Sequence, residues 1–279
     1  MVPAVTRSAR DAVSRMGLAG AAFWLYGWAS RANPRSLINN ARYRRAGAPD
    51  GLPIPPPDLI FLVAGSSDVS WFMRGGELAA RSITDALRDI GIEVAELGAI
   101  LDFGCGCGRV LRNWSSLPHS NVYGTDYNST LIEWCRRNLP FAQYEVNRLS
   151  PPLPYADAQF DLVYALSVFT HLTEDLQEAW IAELTRIVKP GGHLIISTHG
   201  ESYLHRLNDD ERRRFESGHL IVKNNVRAPG SNTCSAYHPV AYIRSHLARG
   251  LDVVAIIPEG AKGNPRQDLN VLRKPSHAT

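Results

Sequence analysis

The chain has few cysteines, a single acidic residue in its first 48 positions, and no apolar run long enough to cross a bilayer comfortably. Cys105, Cys107, Cys135 and Cys234 are its only cysteines. The closest two form a C-x-C pair, which lacks the spacing of a zinc site. Reduced thiols in a cytoplasmic protein, with no metal centre, are therefore expected. The apolar stretch 16–29 is short for a span, is broken by Tyr26 and Gly27, and is closely followed by Arg31. It reads as a docked or interfacial helix rather than a cleaved signal. No internal repeat is visible. No basic patch interleaved with aromatics is present either, so nucleic acid is not an expected partner.

Charge is distributed unevenly. Before Pro49 the chain carries Arg7, Arg10, Arg15, Arg31, Arg35, Arg42, Arg44 and Arg45 against Asp11 alone. Such a basic arm is suited to peripheral contact with a membrane or another acidic surface. Pro49, Pro53, Pro55, Pro56 and Pro57 follow, fixing φ and removing backbone donors. Residues 1–57 therefore read as a basic helical extension with a Pro-rich linker. Residues 58–279 read as the main domain, with a polar, irregular inserted lid at about 200–235.

Within the main domain, strand-like and helix-like segments alternate. A helix is expected over 77–90, from Leu78, Ile83, Leu87 and Ile90, with Gly91 ending it. Apolar runs at 99–101, 122–125, 141–146, 160–166, 193–198, 253–257 and 269–272 read as strands. Helices are expected from Arg109, from about Thr130 (Thr130 and Glu133 spaced as a capping box), from Glu174 behind a Thr173 cap, and over 240–248. The pattern implies an α/β fold with a doubly wound, mostly parallel seven-stranded sheet. The final two strands are joined without room for a helix, so the last should run antiparallel.

The stretch from Ile100 to Arg109 organises the rest. A buried strand end is followed by Asp102, then by Gly104, Gly106 and Gly108, with Cys105 and Cys107 between them. Glycine lets such a turn take positive φ and approach a ligand closely. A dinucleotide fingerprint would need its third glycine where Arg109 stands. The stretch resembles motif I of class I S-adenosylmethionine-dependent methyltransferases. The segments Phe160 to Val163 with Ser167 to Leu172 resemble motif IV of that family, and Arg186 to Gly192 resembles the turn before its fifth strand. The resemblance covers about 76–274 and implies S-adenosylmethionine as cofactor.

Asp126 lies about twenty residues beyond the turn, at a strand end, where a carboxylate accepts ribose hydroxyls. Tyr127 follows it. Asn147 and Arg148 stand after the third strand, where the family reads the adenine edge with a polar residue, and an Asn side chain offers both donor and acceptor. Asp102, Gly104, Cys105, Gly106, Gly108, Arg109, Asp126, Tyr127, Asn147, Arg148 and Ser167 are thus the expected cofactor contacts. A hydroxyl acceptor also needs a base, and His171, His199 and His238 fall on the expected ligand face, with Glu201 a further option. His171 and His199 are the leading candidates. The resulting expectation is methyl transfer to a small-molecule acceptor, at a hydroxyl of a sugar, lipid-linked glycan or secondary metabolite. A nicotinamide-dependent oxidoreductase and a non-catalytic nucleotide-binding module are the alternatives.

Overall fold

A computed structural model describes residues 33–223, 234–263 and 266–276. The helical pieces expected within 1–30, the 16–29 stretch included, and the part of the expected lid at 224–233 lie outside the described residues. The chain divides into two compact units, 1–73 and 74–279.

The first unit contains α1 (Pro34–Ala46), α2 (Pro57–Ala64) and the start of α3 (Val69–Arg88). Asn33 caps α1 by accepting from the Arg35 amide, and Pro34 occupies the first helical position, where a missing N–H costs nothing. Pro57 starts α2 in the same way, and Gly65 in the left-handed region ends it. Asn40 of α1 is buried and fully used: Nδ2 donates to Ser67 O at 2.8 Å and Oδ1 accepts from Val69 N at 2.8 Å.

The second unit is built on a seven-stranded sheet: β1 (Ala99–Phe103), β2 (Asn121–Asp126), β3 (Ala142–Val146), β4 (Phe160–Ala165), β5 (Val188–Thr198), β8 (Asp252–Ala261) and β9 (Gln267–Arg273), in the order β3-β2-β1-β4-β5-β9-β8. The short strands β6 (Ile221–Lys223) and β7 (Ser235–Tyr237) pair separately. β1 to β5 are mutually parallel, and β9 runs antiparallel to both β5 and β8, as the short final connection required. The remaining helices are α4 (Ser129–Asn138), α5 (Glu174–Ile187), α6 (Asp209–Glu216) and the turn α7 (Val240–Tyr242). Strand order reverses between β1 and β4, which opens a crevice at the carboxyl ends of these two strands. Leu101, Val163, Leu184, Ile187 and Leu194 are completely buried in the main core, where each contributes about 1.5–3 kcal/mol.

Several local readings need correction. α3 begins at Val69, not near Glu77, so its first two turns precede the glycine pair Gly75–Gly76. Gly108 holds φ at +76°, so helical backbone can start only beyond it, and Pro118 is near; the expected helix from Arg109 shrinks to the 3₁₀ turn Leu111–Trp114. The cap of α4 is Asn128, not Thr130, because the Asn128 side chain accepts from Thr130 N. Thr173 sits at the cap position of α5 but makes no side-chain cap bond. β5 starts at Val188, so Pro190, Gly191 and Gly192 lie within it, in a bulge facing Asp161. Residues 200–223 are not irregular: they form the 3₁₀ segment Glu201–Arg206, α6 with an Asn208–Glu211 capping box, and β6. Only the first turn of the 240–248 helix is α; Ile243–Leu247 is π-helical.

Candidate active site

The crevice is floored by the glycine turn. All five residues of β1 are buried between parallel neighbours, which drives the chain straight to the sheet's carboxyl edge. There the amides of Gly104 and Cys105 both donate to Thr125 O, at 2.8 and 2.9 Å, docking the turn on β2. Gly104 takes φ +83° and a Cβ on it would run into Val168; Gly108 takes φ +76° and a Cβ there would meet Leu139. Neither position admits another residue without strain.

Gly106 is gripped from both sides. Its amide donates to Asp126 Oδ2 at 2.9 Å, and its carbonyl faces the Cys135 and Cys105 sulfurs at 3.5 and 3.6 Å. Burial pushes the thiols of Cys105 and Cys107 well up, so both stay protonated weak donors. Cys105 also gives its carbonyl to Gly108 N, which leaves its amide, carbonyl and thiol all engaged within the protein.

Asp102 is buried at the end of β1, and its carboxyl is pushed up to about 7 by that burial, against the pull of a Tyr164 hydrogen bond and the nearby Arg109 charge. Trp114 Nε1 in turn donates to Tyr164 Oη at 2.8 Å. The Arg109 guanidinium is pushed down by burial, and its Nη1 has no hydrogen-bond partner among the described residues. The Arg109 backbone lies against α3: a Cβ on Gly76 would run into its carbonyl.

At the end of β2, Asp126 Oδ1 accepts from Asn128 N at 2.8 Å while Oδ2 holds Gly106. Burial raises its pKa, and these two backbone bonds oppose the rise. A carboxylate has about four acceptor directions, so some remain for a ligand. Tyr127 beside it is exposed. Asn147 reaches the same edge, its amide donating to Asp126 O at 3.1 Å. Its Nδ2 donates to Arg148 O at 2.7 Å, and its buried Oδ1 has no partner among the described residues. The Arg148 residue itself is exposed.

Across the crevice, Ser167 follows β4 with φ +61°, rare for a side chain with a Cβ. Its amide donates to Ser197 Oγ at 2.7 Å, and its Oγ accepts from Gln267 Nε2 at 2.8 Å. Ser197 Oγ donates to Gln267 Oε1 at 2.6 Å. The same Gln267 Nε2 lies 3.2 Å from His199 Nε2. His199 Nδ1 is 3.1 Å from Ala236 O, and a carbonyl can only accept, so Nδ1 carries the proton and Nε2 accepts from Gln267. Burial, then the neighbouring His171, push His199 down to about 4.

His171 is anchored likewise, Nδ1 donating to Cys234 O at 2.9 Å, but its Nε2 makes no hydrogen bond to the described residues. It is half-buried, and burial lowers its pKa. His238 is fully buried; its Nε2 donates to Gln177 Oε1 at 3.0 Å and burial pushes it down to about 3. The three imidazoles are therefore neutral at pH 7, and only His171 combines partial exposure with an open lone pair.

The residues missed in the sequence are Tyr164, Ser197 and Gln267. A signal existed for the last: Gln267, Asp268 and Asn270 are polar residues inside a strand that is buried almost throughout. A cavity of about 370 Å³ opens elsewhere, at the amino-terminal end of β4 around Asp161, Lys189 and Gly191. Asp161 there is already satisfied by Lys189 and the Ala99 amide, both at 2.8 Å, so the crevice and not this cavity holds the unspent polar groups. Among the described residues no group of three or more His, Cys, Asp or Glu is placed to hold a metal ion.

Residues 101–196 match the family model described as a methyltransferase domain. Over those residues the chain is similar to methyltransferase domains. The matched stretch runs from β1 through the glycine turn, Asp126 and Ser167 into β5. Over 135 residues the chain is 26% identical to the O-methyltransferase cnsE of Penicillium expansum, covering 46% of this chain and 48% of that one. Over 166 residues it is 24% identical to the tRNA N(3)-cytidine methyltransferase METTL2 of Gallus gallus, covering 56% and 43%. The chain thus spans about half the length of the curated relatives it matches. A chain in the complex of the Haloferax volcanii Trm112 methyltransferase activator with a methyltransferase has the same fold, with TM-score 0.50 at 16% identity over 75% of this chain and 96% of that chain.

Proposed function

We propose that the protein transfers the methyl group of S-adenosylmethionine to an oxygen of a small-molecule acceptor. The observation that carries this is Asp126: a buried carboxylate at the end of β2, held by two backbone amides, with acceptor capacity left over beside a turn of three left-handed glycines. In this reading Asp126 takes the ribose hydroxyls. The unpartnered Asn147 Oδ1 accepts from the adenine amino group, with Tyr127 and Arg148 at the rim. Gly104, Gly106 and Gly108 give the close backbone approach, and Cys105 contributes van der Waals contact only. Asp102, Arg109 and Ser167 border the space between the turn and β4. A dehydrogenase reading has no comparable support, because the position of its third glycine is occupied by buried Arg109.

The bound cofactor supplies a sulfonium-activated methyl group, so the protein's task is mainly positioning. The protein's own groups would hold the acceptor oxygen in place and take up the proton that it loses. We assign the base to His171 Nε2, whose lone pair is open, and assign His199, whose Nε2 is already engaged by Gln267, a positioning role. Residues 1–57 supply no cofactor contact in this reading and form an extension to the catalytic part.

Titration calorimetry with S-adenosylmethionine, S-adenosylhomocysteine and NAD tests the cofactor. Binding of the first two and not the third is expected, and the reverse would overturn the proposal. Transfer of labelled methyl to a panel of hydroxylated small molecules, with tRNA as a separate arm, tests the acceptor. Label entering tRNA alone would refute the small-molecule assignment.

A further inference from the structure

α1 is built inside out. A surface helix ordinarily turns its apolar stripe to the core and its polar face to water. α1 does the opposite: Ser36 and Asn40 are buried, while Leu37 is 51% exposed and Ile38 69% exposed. The burial of Asn40 is specific, since its side-chain amide serves both the Ser67 carbonyl and the Val69 amide, which locks the rotation of the helix about its axis. The outward placing of Leu37 and Ile38 is therefore imposed by hydrogen bonding.

At about 100° per residue, Leu37, Ala41, Pro34 and Ile38 fall within one strip roughly 100° wide, with Ile38 opposite Asn40 and Ser36 and Leu37 flanking Asn40. Arg35, Arg42, Arg44 and Arg45 are exposed along and beside that strip, and no acid occurs anywhere from Asn33 to Ala48. The sequence ahead of α1 continues this composition, with Arg7, Arg10, Arg15 and Arg31 around the apolar stretch 16–29. No helix among the described residues is long and apolar enough to cross a membrane.

We propose that α1 docks on an anionic lipid bilayer, lying in the plane of the surface with Leu37 and Ile38 inserted at the acyl boundary and the arginines on headgroup phosphates. This combination of exposed apolar side chains and unopposed arginines is what an interfacial helix presents. Nucleic acid would engage the arginines but leave Leu37 and Ile38 in water. A second copy packed through α1 would bring two arginine clusters together. The inference concerns the extension and stands independently of the acceptor assignment.

The test is co-sedimentation of the full chain with vesicles of phosphatidylcholine containing 30% phosphatidylglycerol, and with pure phosphatidylcholine. Binding to the anionic vesicles is expected, at least tenfold stronger than to the neutral ones and weakening as salt rises. L37S/I38S keeps every charge and should weaken binding at least tenfold with an unchanged melting temperature. R42S/R45S keeps the apolar strip and should cost about fivefold per arginine. Failure of the parent to bind anionic vesicles, or full binding by both folded variants, overturns the proposal. So does salt-sensitive binding to labelled tRNA, or dimerisation in sedimentation velocity, found without vesicle binding.

Discussion

The Gly106 amide donates a 2.9 Å hydrogen bond to Asp126 Oδ2, joining the middle of the glycine turn to the end of β2. Because the Gly106 carbonyl is held by two thiols on its other side, the turn's shape depends on a carboxylate and a pair of buried cysteines. The group proposed to hold the ribose thus also shapes the surface the cofactor lies on, and its removal has two separable effects.

Asp126→Ala should weaken S-adenosylhomocysteine binding by about 2 kcal/mol or more, roughly thirtyfold. It should also lower the unfolding free energy by about 1–3 kcal/mol, because the Gly106 and Asn128 amides lose their acceptor. Calorimetry reads the first effect and thermal melting without ligand the second. A folded variant with parental affinity would remove Asp126 from the cofactor site.

Gly76→Ala reverses a familiar sign. Glycine to alanine inside a helix ordinarily stabilises by about 1 kcal/mol. Here the added methyl runs into the Arg109 carbonyl, so a loss of about 1–3 kcal/mol is expected from forced displacement of α3 or the glycine turn. A raised melting temperature would show that this packing yields freely.

His171→Gln should lower turnover by about 10² to 10⁴ with cofactor affinity nearly unchanged, and should abolish the rise in rate with pH that the base confers. His199→Gln should give a much smaller loss in turnover and keep the pH profile, since a glutamine can still bridge Ala236 and Gln267. Equal losses in both variants would return the base assignment to an open choice between them.

Asp102 and His199 pull the pH dependence of stability in opposite directions. His199 is held near 4, against 6.5 in the unfolded chain, by burial and by the charges of His171 and Arg206. Between those values the unfolded chain binds the extra proton, so its contribution is complete above 6.5 and lost as pH falls toward 4. Asp102, raised from 3.8 to about 7, keeps its proton in the folded state, so its contribution is present below 3.8 and lost as pH rises toward 7. Each slope is on the order of 1.4 kcal/mol per pH unit. Asp102→Asn should therefore steepen the gain in stability from pH 4.5 to 6.5 and flatten any fall from 6.5 to 7.5, as read from urea midpoints. Parallel curves for parent and variant would mean that Asp102 ionises normally.

The frame of the domain was legible because it rests on local signals. Apolar runs marked β1, β2 and β4, and the glycines with Asp126 marked the crevice floor. What escaped depends on distant partners. Nothing near His171 or His199 in sequence announces that Cys234 and Ala236 fix their tautomers. Gln267 fell outside the expected strand 269–272 because polar residues rarely fill a buried strand, and the Ser167–Ser197–His199 network explains its place. α1 was legible only as part of a basic helical extension, without bounds of its own, because its apolar residues face outward and leave no stripe toward a core.

The place of β9 has a kinetic consequence. It is the strand through which β8 joins the sheet, and its pairs with β5 reach back about 70 to 80 positions. Until Gln267–Arg273 arrives, β5 has an open edge and β8 has no neighbour at all. Such edges recruit other chains. Refolding should therefore pass through a concentration-sensitive stage that ends when this one segment inserts, and substitutions in β9 should raise aggregation during refolding more than they lower the stability of the finished fold.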